Sequence, residues 1–282
     1  MPRPPNRPTA AIQGAPGSFS HEAACRAFGK TVELVSCDTF DDLFAAVVGG
    51  RAEHGVVPVE NTIAGSVAEN YDRLSQHPLH VVGETLVRVR LCLIVQAGVS
   101  LRCIRIARSH PVALAQCRRF FRAHPHLRAT PAADTAGAVR ALMRRGARTR
   151  AAVASAFAAR LYGARVLRAG IEDHPTNYTR FLIVAREPVA VDGPAKTSLM
   201  FRLDHVPGAL HRALGVLAGR GLSLTKIESR PIVGRPWEYT FYLDVLSAQP
   251  GQLPQAIAEL TSVARDVRVF GTYQLDNPRP HP

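Results

Sequence analysis

Short apolar runs alternate with stretches of helix-like periodicity from residue 9 to about residue 188. The first half of this region predicts three strand–helix pairs and then a long strand-rich segment: Ala10–Gln13, Ser18–Phe28, Val32–Ser36, Phe40–Val48, His54–Val59, Ser66–Gln76 and Val81–Val95. The second half continues the alternation: strand Ile104–Ser109, a helix after Pro111, helix Asp134–Arg145, strand Ala151–Ala154, a helix ending at Tyr162, and strands Arg165–Leu167 and Tyr178–Val184. Repeated strand–helix units of this kind indicate an α/β fold with mostly parallel sheets.

Residues 187–195, EPVAVDGPA, form a sparsely apolar stretch with proline and glycine, and they are the best candidate for a linker. Beyond them the order of elements changes to β-α-β-β-α-β: Ser198–Leu203, Gly208–Arg220, Ser223–Ile232, Tyr239–Val245, Gln255–Val263 and Val267–Tyr273. This order is the split βαβ plan of ferredoxin-like α+β domains. We therefore predict two domains, at residues 9–188 and 196–275, followed by a frayed end at residues 277–282.

The chain has 282 residues, of which 46% are apolar and 20% charged, as in an ordinary globular protein. It contains no run of about 18 apolar residues, so no membrane span is expected. The first ten residues lack the apolar core of a signal peptide, and the expected location is the cytoplasm. The five cysteines are not closely paired and form no C-x-x-C cluster, so neither a disulfide framework nor a metal site is expected.

The net charge of +13 raises the question of nucleic acid binding. Only Lys30, Lys196 and Lys226 are lysines, and the arginines that carry most of the positive charge are scattered along the chain. Even the densest basic stretch, Arg140–Arg150, is interpreted as a solvated helix end. Charge alone therefore does not indicate a nucleic acid partner, although it can steer an anionic substrate.

Glycines and hydroxyl groups follow the first predicted strand, in the stretch Gly14–Glu22. Backbone N–H groups and the positive end of a helix dipole gather where the next helix begins, so Ser18 and Ser20 are candidates to hold a carboxylate or a phosphate. Ordinary N-capping by one of these serines explains the same residues, and this stretch by itself favours capping.

The stretch Val57–Ser66, VPVENTIAGS, stands at the carboxyl end of the third strand, where α/β folds place ligands. Glu60 offers an acceptor and Asn61 an amide, while Thr62 and Ser66 offer donors where the next helix is predicted to begin. Polar side chains beside an apolar strand need partners. We interpret this stretch as part of a ligand site rather than as a capped turn.

Ser109 ends another strand, and Pro111 begins the helix that follows it. Gln116 is predicted to lie inside that helix. A capped helix with an exposed glutamine explains this pattern, so the motif by itself indicates no function.

The stretch Asn177–Phe181, NYTRF, opens the last strand of the first domain, and there Thr179 and Phe181 share one face while Arg180 lies on the other. An arginine that enters an apolar strand needs an anion nearby. The candidate anions are a substrate carboxylate and three carboxylates of the protein: Glu60, Glu172 and Asp173.

Two stretches of the second domain, Pro207–His211 and Leu222–Pro231, have the residues of an amino-acid site. A helix that begins at Gly208 can accept a carboxylate closely. Glu228 can bind an ammonium group. The pair would form a site for a zwitterion, although a turn and a surface charge cluster explain the same residues.

In this order, the five motifs resemble those of the prephenate dehydratase family across residues 9–275. The family's Gly-x-Phe-Ser, Pro-(hydrophobic)-Glu-Asn-(Ser/Thr)-x-x-Gly, Ser-His-Pro and Thr-Arg-Phe stretches correspond to residues 17–20, 58–65, 109–111 and 179–181. The C-terminal part resembles an ACT regulatory domain, in which Glu228–Pro231, ESRP, stands at the phenylalanine-site signature. Two positions depart from the family pattern: Val112 replaces a frequent glutamine, and Ser223 replaces the asparagine usual in the ACT signature.

The resemblance implies a two-lobed α/β catalytic domain similar to the type II periplasmic-binding-protein fold, followed by an α+β ferredoxin-like ACT domain of order βαββαβ. It implies conversion of prephenate to phenylpyruvate, with loss of carbon dioxide and water, under allosteric control by L-phenylalanine. The implied catalytic residues are Thr179, Glu60, Asn61 and Gln116. The implied substrate-binding residues are Ser18, Ser20, Thr62, Ser66, Ser109, Arg180 and Phe181. The implied phenylalanine-binding residues are Gly208, Ala209, Leu210, Glu228, Ser229, Arg230 and Pro231.

The implied reaction needs neither a metal nor an organic cofactor, because aromatisation of the ring already drives it. The expected partners are prephenate, L-phenylalanine as effector, and further copies of the chain in a homodimer or homotetramer, since ACT domains generally pair side by side. No nucleic acid or membrane partner is expected. Two alternatives stay open: an arogenate dehydratase, which the same motifs would serve, and a non-catalytic amino-acid-sensing protein on the same folds.

Overall fold

The structure is a computed structural model that describes residues 7–232, 234–248 and 252–275. The residues predicted to fray, 277–282, lie outside the described part of the chain. The chain forms two compact units: one combines the residues up to Ser66 with Thr85–Phe181, and the other combines Val67–Glu84 with the residues from Leu182 onward. No helix of the described residues is long and apolar enough to cross a membrane.

The first sheet has six strands, in the order β2-β1-β3-β11-β5 with β4 beside β3. They are β1 (Thr9–Gln13), β2 (Glu33–Cys37), β3 (His54–Asn61), β4 (Gly65–Ser66), β5 (His80–Arg88) and β11 (Tyr178–Ala185). Strand β1 pairs in parallel with both β2 and β3. Parallel neighbours need crossover connections, which α1 (Phe19–Phe28) and α2 (Phe40–Val48) provide. Strands β5 and β11 each continue from one unit into the other.

The second sheet has five strands, in the order β10-β6-β9-β7-β8. They are β6 (Cys92–Val95), β7 (Ile106–Ser109), β8 (Arg128–Pro131), β9 (Arg150–Ala154) and β10 (Arg165–Ala169). The helices of this region are α4 (Pro111–Ala115), α5 (Arg118–Ala123), α6 (Thr135–Arg145) and α7 (Ala156–Leu161). Leu93 and Val153 belong to one apolar cluster, whereas Ile94 and Ala152 belong to another. Both faces of this sheet are therefore covered, as in other α/β folds.

The chain passes between the two sheets twice, from β5 to β6 and from β10 to β11. The predicted single segment Val81–Val95 is therefore divided, because Val89–Leu91 carry the chain from the first sheet to the second. The first sheet has parallel pairs around β1, and the second is mixed, with β7 parallel to β8 and β9 but β6 antiparallel to β9 and β10. Two such sheets joined by a double crossover are the plan of a two-lobed, type II periplasmic-binding-protein-like domain. The predicted α/β class of this region is confirmed.

The C-terminal sheet has the order β13-β14-β12-β15, and its neighbouring strands are antiparallel. Its elements are β12 (Ala195–Arg202), α8 (Ala209–Gly219), β13 (Ser223–Ile232), β14 (Arg235–Ser247), α9 (Gln252–Val263) and β15 (Arg265–Tyr273). Leu199 and Phe201 of β12 pack in one cluster with Leu217 of α8 and Leu260 of α9. This is the predicted βαββαβ order of a ferredoxin-like domain, and that prediction of the fold is confirmed.

Helix α3 (Ala68–Gln76) contacts the C-terminal sheet through polar groups. Asp72 accepts hydrogen bonds from Arg230 Nη2 at 2.8 Å and from the Tyr242 hydroxyl at 3.0 Å. Arg268 donates to the carbonyls of Ser75 and His77, each at 2.6 Å. A helix of the first predicted domain thus belongs to the same compact unit as the ACT fold.

A buried ion pair joins the middle of β5 to β12. Lys196 Nζ lies 2.7 Å from Glu84 Oε1 and 2.9 Å from Glu84 Oε2. Nearby, an added Cβ at Gly271 would lie 2.0 Å from the backbone oxygen of Val81, so β15 approaches β5 as only glycine allows.

The predicted helix Ser66–Gln76 is wrong at its start. Gly65 and Ser66 form β4, which pairs antiparallel with Asn61 and Glu60, and the helix begins at Ala68. A tight turn with Gly65 at φ +85° brings the chain back along β3, so Ser66 is a strand residue and not a helix cap.

Candidate functional site

The turn after β3 fixes the side-chain amide of Asn61. Its Oδ1 accepts hydrogen bonds from the backbone N–H groups of Ile63 at 3.0 Å and Ala64 at 2.8 Å. An amide oxygen only accepts and an amide nitrogen only donates, so these bonds assign the orientation of the side chain. Asn61 Nδ2 then donates towards β11, to Asn177 Oδ1 at 2.7 Å and to Thr179 Oγ1 at 3.0 Å.

Thr179 is half-buried, and its hydroxyl oxygen accepts the hydrogen bond from Asn61. A threonine hydroxyl has one hydrogen to donate, and no acceptor for it is found among the described residues. Asn61 thus leaves Thr179 as a donor towards whatever binds beside it. Two of the residues predicted as catalytic are in direct contact.

Gln116 joins this group from the second lobe through Asn177. Asn177 Nδ2 donates to Gln116 Oε1 at 3.2 Å. Gln116 was predicted to lie inside a helix, but α4 ends at Ala115 and Gln116 caps it. The Gln116 carbonyl accepts from the backbone N–H of Asp173, at 2.6 Å. The predicted position was therefore wrong, whereas the side chain does reach the other motifs.

Asn177 is the residue of this group that the motifs did not single out. It is completely buried, and its amide makes contacts with both Asn61 and Gln116. The signal was present in the sequence, since alternate residues of an extended strand share a face and Asn177 stands two positions before Thr179.

Arg180 is paired with Glu60, one of the three candidate carboxylates. Arg180 Nη1 lies 3.7 Å from Glu60 Oε2, with the arginine side chain 10% exposed and the glutamate 42%. The other two carboxylates accept hydrogen bonds from backbone N–H groups. Glu172 accepts from Leu91 at 2.8 Å, and Asp173 accepts from Arg119 at 2.9 Å. Glu60 therefore stands at the solvent-facing end of a nearly buried ion pair.

Three predicted substrate-binding residues have structural contacts instead. The Thr62 hydroxyl accepts from the Tyr178 N–H at 3.0 Å and donates to a carbonyl, so it holds the beginning of β11. Ser109 is fully buried and donates to the carbonyl of Val153. Phe181 is 2% exposed in the core. The prediction that Ser109 and Phe181 touch substrate is not supported, because both side chains lie in the interior.

Ser18 caps α1, as the sequence favoured: its hydroxyl accepts from the His21 N–H at 3.2 Å. His21 Nδ1 in turn accepts from the Gly17 N–H at 2.9 Å, and burial lowers the pKa of this histidine. An added Cβ at Gly17 would lie 3.1 Å from the ring of Tyr162, so the loop packs closely on the second lobe. No hydrogen bond joins Ser18 or Ser20 to Asn61 or Thr179 within the described residues.

The predicted effector residues fall in two places of the C-terminal domain. Ala209 and Leu210, at the start of α8, line a cavity of about 120 Å³ together with Leu203, Asp204, His205, Val206, Trp237, Tyr239 and Phe241. Gly208 precedes them at φ +76°, and no side chain caps this helix end. Glu228, Ser229, Arg230 and Pro231 are not among the lining residues.

Two residues of the predicted ESRP signature already have partners in their own chain. Glu228 pairs with Lys226 at 3.3 Å, and Arg230 pairs with Asp72 at 2.8 Å. The structure of one chain therefore does not join the two halves of the predicted zwitterion site.

Comparison with known proteins decides the family. A family model described as prephenate dehydratase matches residues 10–189, and one described as the ACT domain matches residues 197–265. The chain belongs to the prephenate dehydratase family. The curated proteins that are similar to this chain include arogenate dehydratases from Petunia hybrida. One from Arabidopsis thaliana, named "Arogenate dehydratase/prephenate dehydratase 2, chloroplastic", is 38% identical over 96% of this chain and 74% of its own length.

Two solved structures support the same assignment of fold. Prephenate dehydratase from Arthrobacter aurescens, in complex with L-Phe, has a TM-score of 0.86 at 29% identity and covers 97% of this chain and 92% of its own. A protein described as GqqA, a novel type of quorum quenching acylase, also has a TM-score of 0.86, at 36% identity, and covers 95% of this chain and 98% of its own. The chain is thus an enzyme of the prephenate and arogenate dehydratase family, which argues against the non-catalytic alternative.

Proposed function

We propose that the chain is a prephenate dehydratase, which converts prephenate to phenylpyruvate, carbon dioxide and water. The observation that carries this proposal is the polarity of the contact between Asn61 and Thr179. Because Asn61 donates to Thr179 Oγ1 at 3.0 Å, the threonine hydrogen is available for the oxygen that leaves the substrate ring.

The reaction breaks two bonds of prephenate. The bond from the ring to its carboxylate breaks and leaves its electron pair in the ring, carbon dioxide departs, and the C–O bond releases hydroxide as the ring becomes aromatic. A donor aimed at the departing oxygen stabilises the charge that develops on it. A threonine hydroxyl is too weak an acid to supply a proton outright, so Thr179 acts by position, and a proton taken up from bulk solvent converts the departed hydroxide to water.

The substrate carboxylates need donors that the motifs can supply. Arg180 offers a guanidinium that is 10% exposed, and Gln116 offers an amide from the second lobe. Ser18, Ser20 and Ser66 are further candidates, through hydroxyl or backbone groups, whereas the hydroxyl and the backbone N–H of Thr62 are both used within the protein. A binding site that removes water from the departing carboxylate favours its loss as neutral carbon dioxide.

The carboxylates near the motifs favour prephenate over arogenate. Arogenate carries an ammonium group where prephenate carries a keto group, and an ammonium group needs an anion beside it. Glu60 is already in an ion pair with Arg180, and Glu172 and Asp173 accept from the backbone N–H groups of Leu91 and Arg119. A keto acid needs no such carboxylate.

The test compares both substrates on the purified chain and on two variants of Thr179. Faster turnover of prephenate is expected, and Thr179→Ala should lower kcat by roughly 100-fold, because one positioned donor typically contributes that much. Thr179→Ser keeps the hydroxyl and should retain most of the activity. Near-normal turnover by Thr179→Ala would contradict the assignment, and preference for arogenate would make the chain an arogenate dehydratase.

We further propose that L-phenylalanine regulates the enzyme at the start of α8. The cavity of about 120 Å³ has an aromatic wall of Trp237, Tyr239 and Phe241, which suits a phenyl ring. The uncapped helix end at Gly208 suits a carboxylate. Glu228 of a second copy of the chain would then bind the ammonium group, in a homodimer or homotetramer that pairs ACT domains.

The domain limits of 9–188 and 196–275 stay predictions. A cytoplasmic location stays a prediction as well, and the Arabidopsis relative is described as chloroplastic.

A further inference from the structure

Asn177 is a completely buried polar side chain at the centre of the site. A buried asparagine is costly unless its amide is hydrogen-bonded on both sides. Asn177 Oδ1 accepts from Asn61 Nδ2 at 2.7 Å, and Asn177 Nδ2 donates to Gln116 Oε1 at 3.2 Å. Its backbone carbonyl also accepts from the Val89 N–H, at 2.8 Å. These three hydrogen bonds therefore tie together segments that carry or flank the motifs.

The three amides form a chain in which each one sets the orientation of the next. The backbone N–H groups of Ile63 and Ala64 hold Asn61 Oδ1, so Asn61 presents its nitrogen to Asn177. Asn177 must meet that donor with its oxygen, and its own nitrogen then faces Gln116. Gln116 must meet that nitrogen with its oxygen. The direction of donation is thus fixed from the β3 turn to the second lobe.

We propose that Asn177 is a positioning residue that turns the Gln116 amide so that its N–H groups face the substrate. This inference rests on the proposed function. Prephenate offers only acceptors at its two carboxylates and its keto oxygen. An amide that presents N–H groups attracts these groups, whereas an amide turned by 180° would present its oxygen and repel them. No protein acceptor for Gln116 Nε2 is found among the described residues.

The effect of Asn177 should appear in substrate binding and should act through Gln116. Asn177→Ala removes the donor that holds Gln116, so KM should rise about 10-fold with a smaller change in kcat, as expected for lost uniform binding. Gln116→Ala should raise KM similarly. In the double variant the loss should be close to that of Gln116→Ala alone, because residues that share one interaction are not additive.

Two further variants keep the test decisive if Asn177→Ala folds poorly. Asn177→Asp keeps the size of the side chain and the acceptor for Asn61, but offers no Nδ2 donor to Gln116. Gln116→Glu accepts from Asn177 as the glutamine does, but presents an oxygen to the substrate. Both should raise KM at least as much as Asn177→Ala does.

A matched control is Asn70→Ala, which removes a buried asparagine of α3 that is 1% exposed. It should lower the melting temperature without changing KM. The kinetics are measured with whichever of prephenate and arogenate the parent protein converts. Failure of the parent on prephenate would refute the proposed function, whereas full additivity of Asn177→Ala and Gln116→Ala in an active parent would refute the positioning role. An unchanged KM in folded Asn177→Asp would refute it as well.

Discussion

The buried pair of Glu84 and Lys196 allows a quantitative test of how the C-terminal unit is held together. The side chains are 3% and 10% exposed, and both carboxylate oxygens lie within hydrogen-bond distance of the ammonium group. Glu84→Gln leaves the ammonium group buried without its counter-charge, which should cost about 3–5 kcal/mol. At about 2–4 °C per kcal/mol for a chain of this size, the unfolding transition of this unit should fall by roughly 6–20 °C.

The double variant Glu84→Leu with Lys196→Met separates two explanations of such a loss. It removes both charges and keeps the apolar volume, so its stability should return to within about 1–2 kcal/mol of the parent, because desolvation of a buried pair largely offsets its attraction. Calorimetry and circular dichroism would follow the transitions. Glu69→Gln is the control, since Glu69 is 76% exposed in its pair with Arg73 and should change stability by less than about 1 kcal/mol. A loss below about 1 kcal/mol in Glu84→Gln, or a double variant less stable than Glu84→Gln, would refute the reasoning.

Two further predictions concern the effector site and the packing of β15. Glu228→Ala should weaken inhibition by L-phenylalanine and spare basal turnover. The control Glu259→Ala, at an exposed pair with Arg220, should change neither. Identical phenylalanine titrations of Glu228→Ala and the parent would place the effector elsewhere. Gly271→Ala should lower the melting temperature, because its Cβ would lie 2.0 Å from the Val81 oxygen. Gly215→Ala, with nothing within 4 Å, should raise stability by roughly 0.5–1 kcal/mol, and equal effects of the two changes would contradict the close approach.

Much of the fold is predictable because burial is periodic along the chain. The strand His54–Val59 and the helix Phe40–Val48 were placed from local apolar patterns, and both lie within or match the observed elements. Strand β8 was missed because Arg128 and Ala129 are exposed at the edge of the second sheet, so no apolar run marks it. Apolar patterns in the sequence predict buried elements, so an element with few buried side chains, such as β8, is missed.

The candidate site was only partly predictable for a different reason. The motif residues Asn61, Thr179 and Gln116 were identified from their order in the chain, whereas Asn177 becomes visible only when its two amide contacts are known. Ser109 belongs to a motif but does not reach the site, because its buried hydroxyl donates to the carbonyl of Val153. Sequence spacing tells which residues are near a site, but hydrogen-bond direction and burial are properties of the folded contacts.

The contacts of residues 67–84 with the C-terminal sheet bear on how this enzyme could be recombined with others. A gene fusion that joins a foreign regulator at the linker, residues 187–195, would respect the boundary seen in the sequence. It would also remove Arg230 and Tyr242 from Asp72, and Lys196 from a glutamate that is 3% exposed. Replacement of the ACT domain at this linker would therefore break its contacts with the rest of its own unit. A stable chimera would have to take α3 and the first half of β5 from the same protein as its regulatory domain.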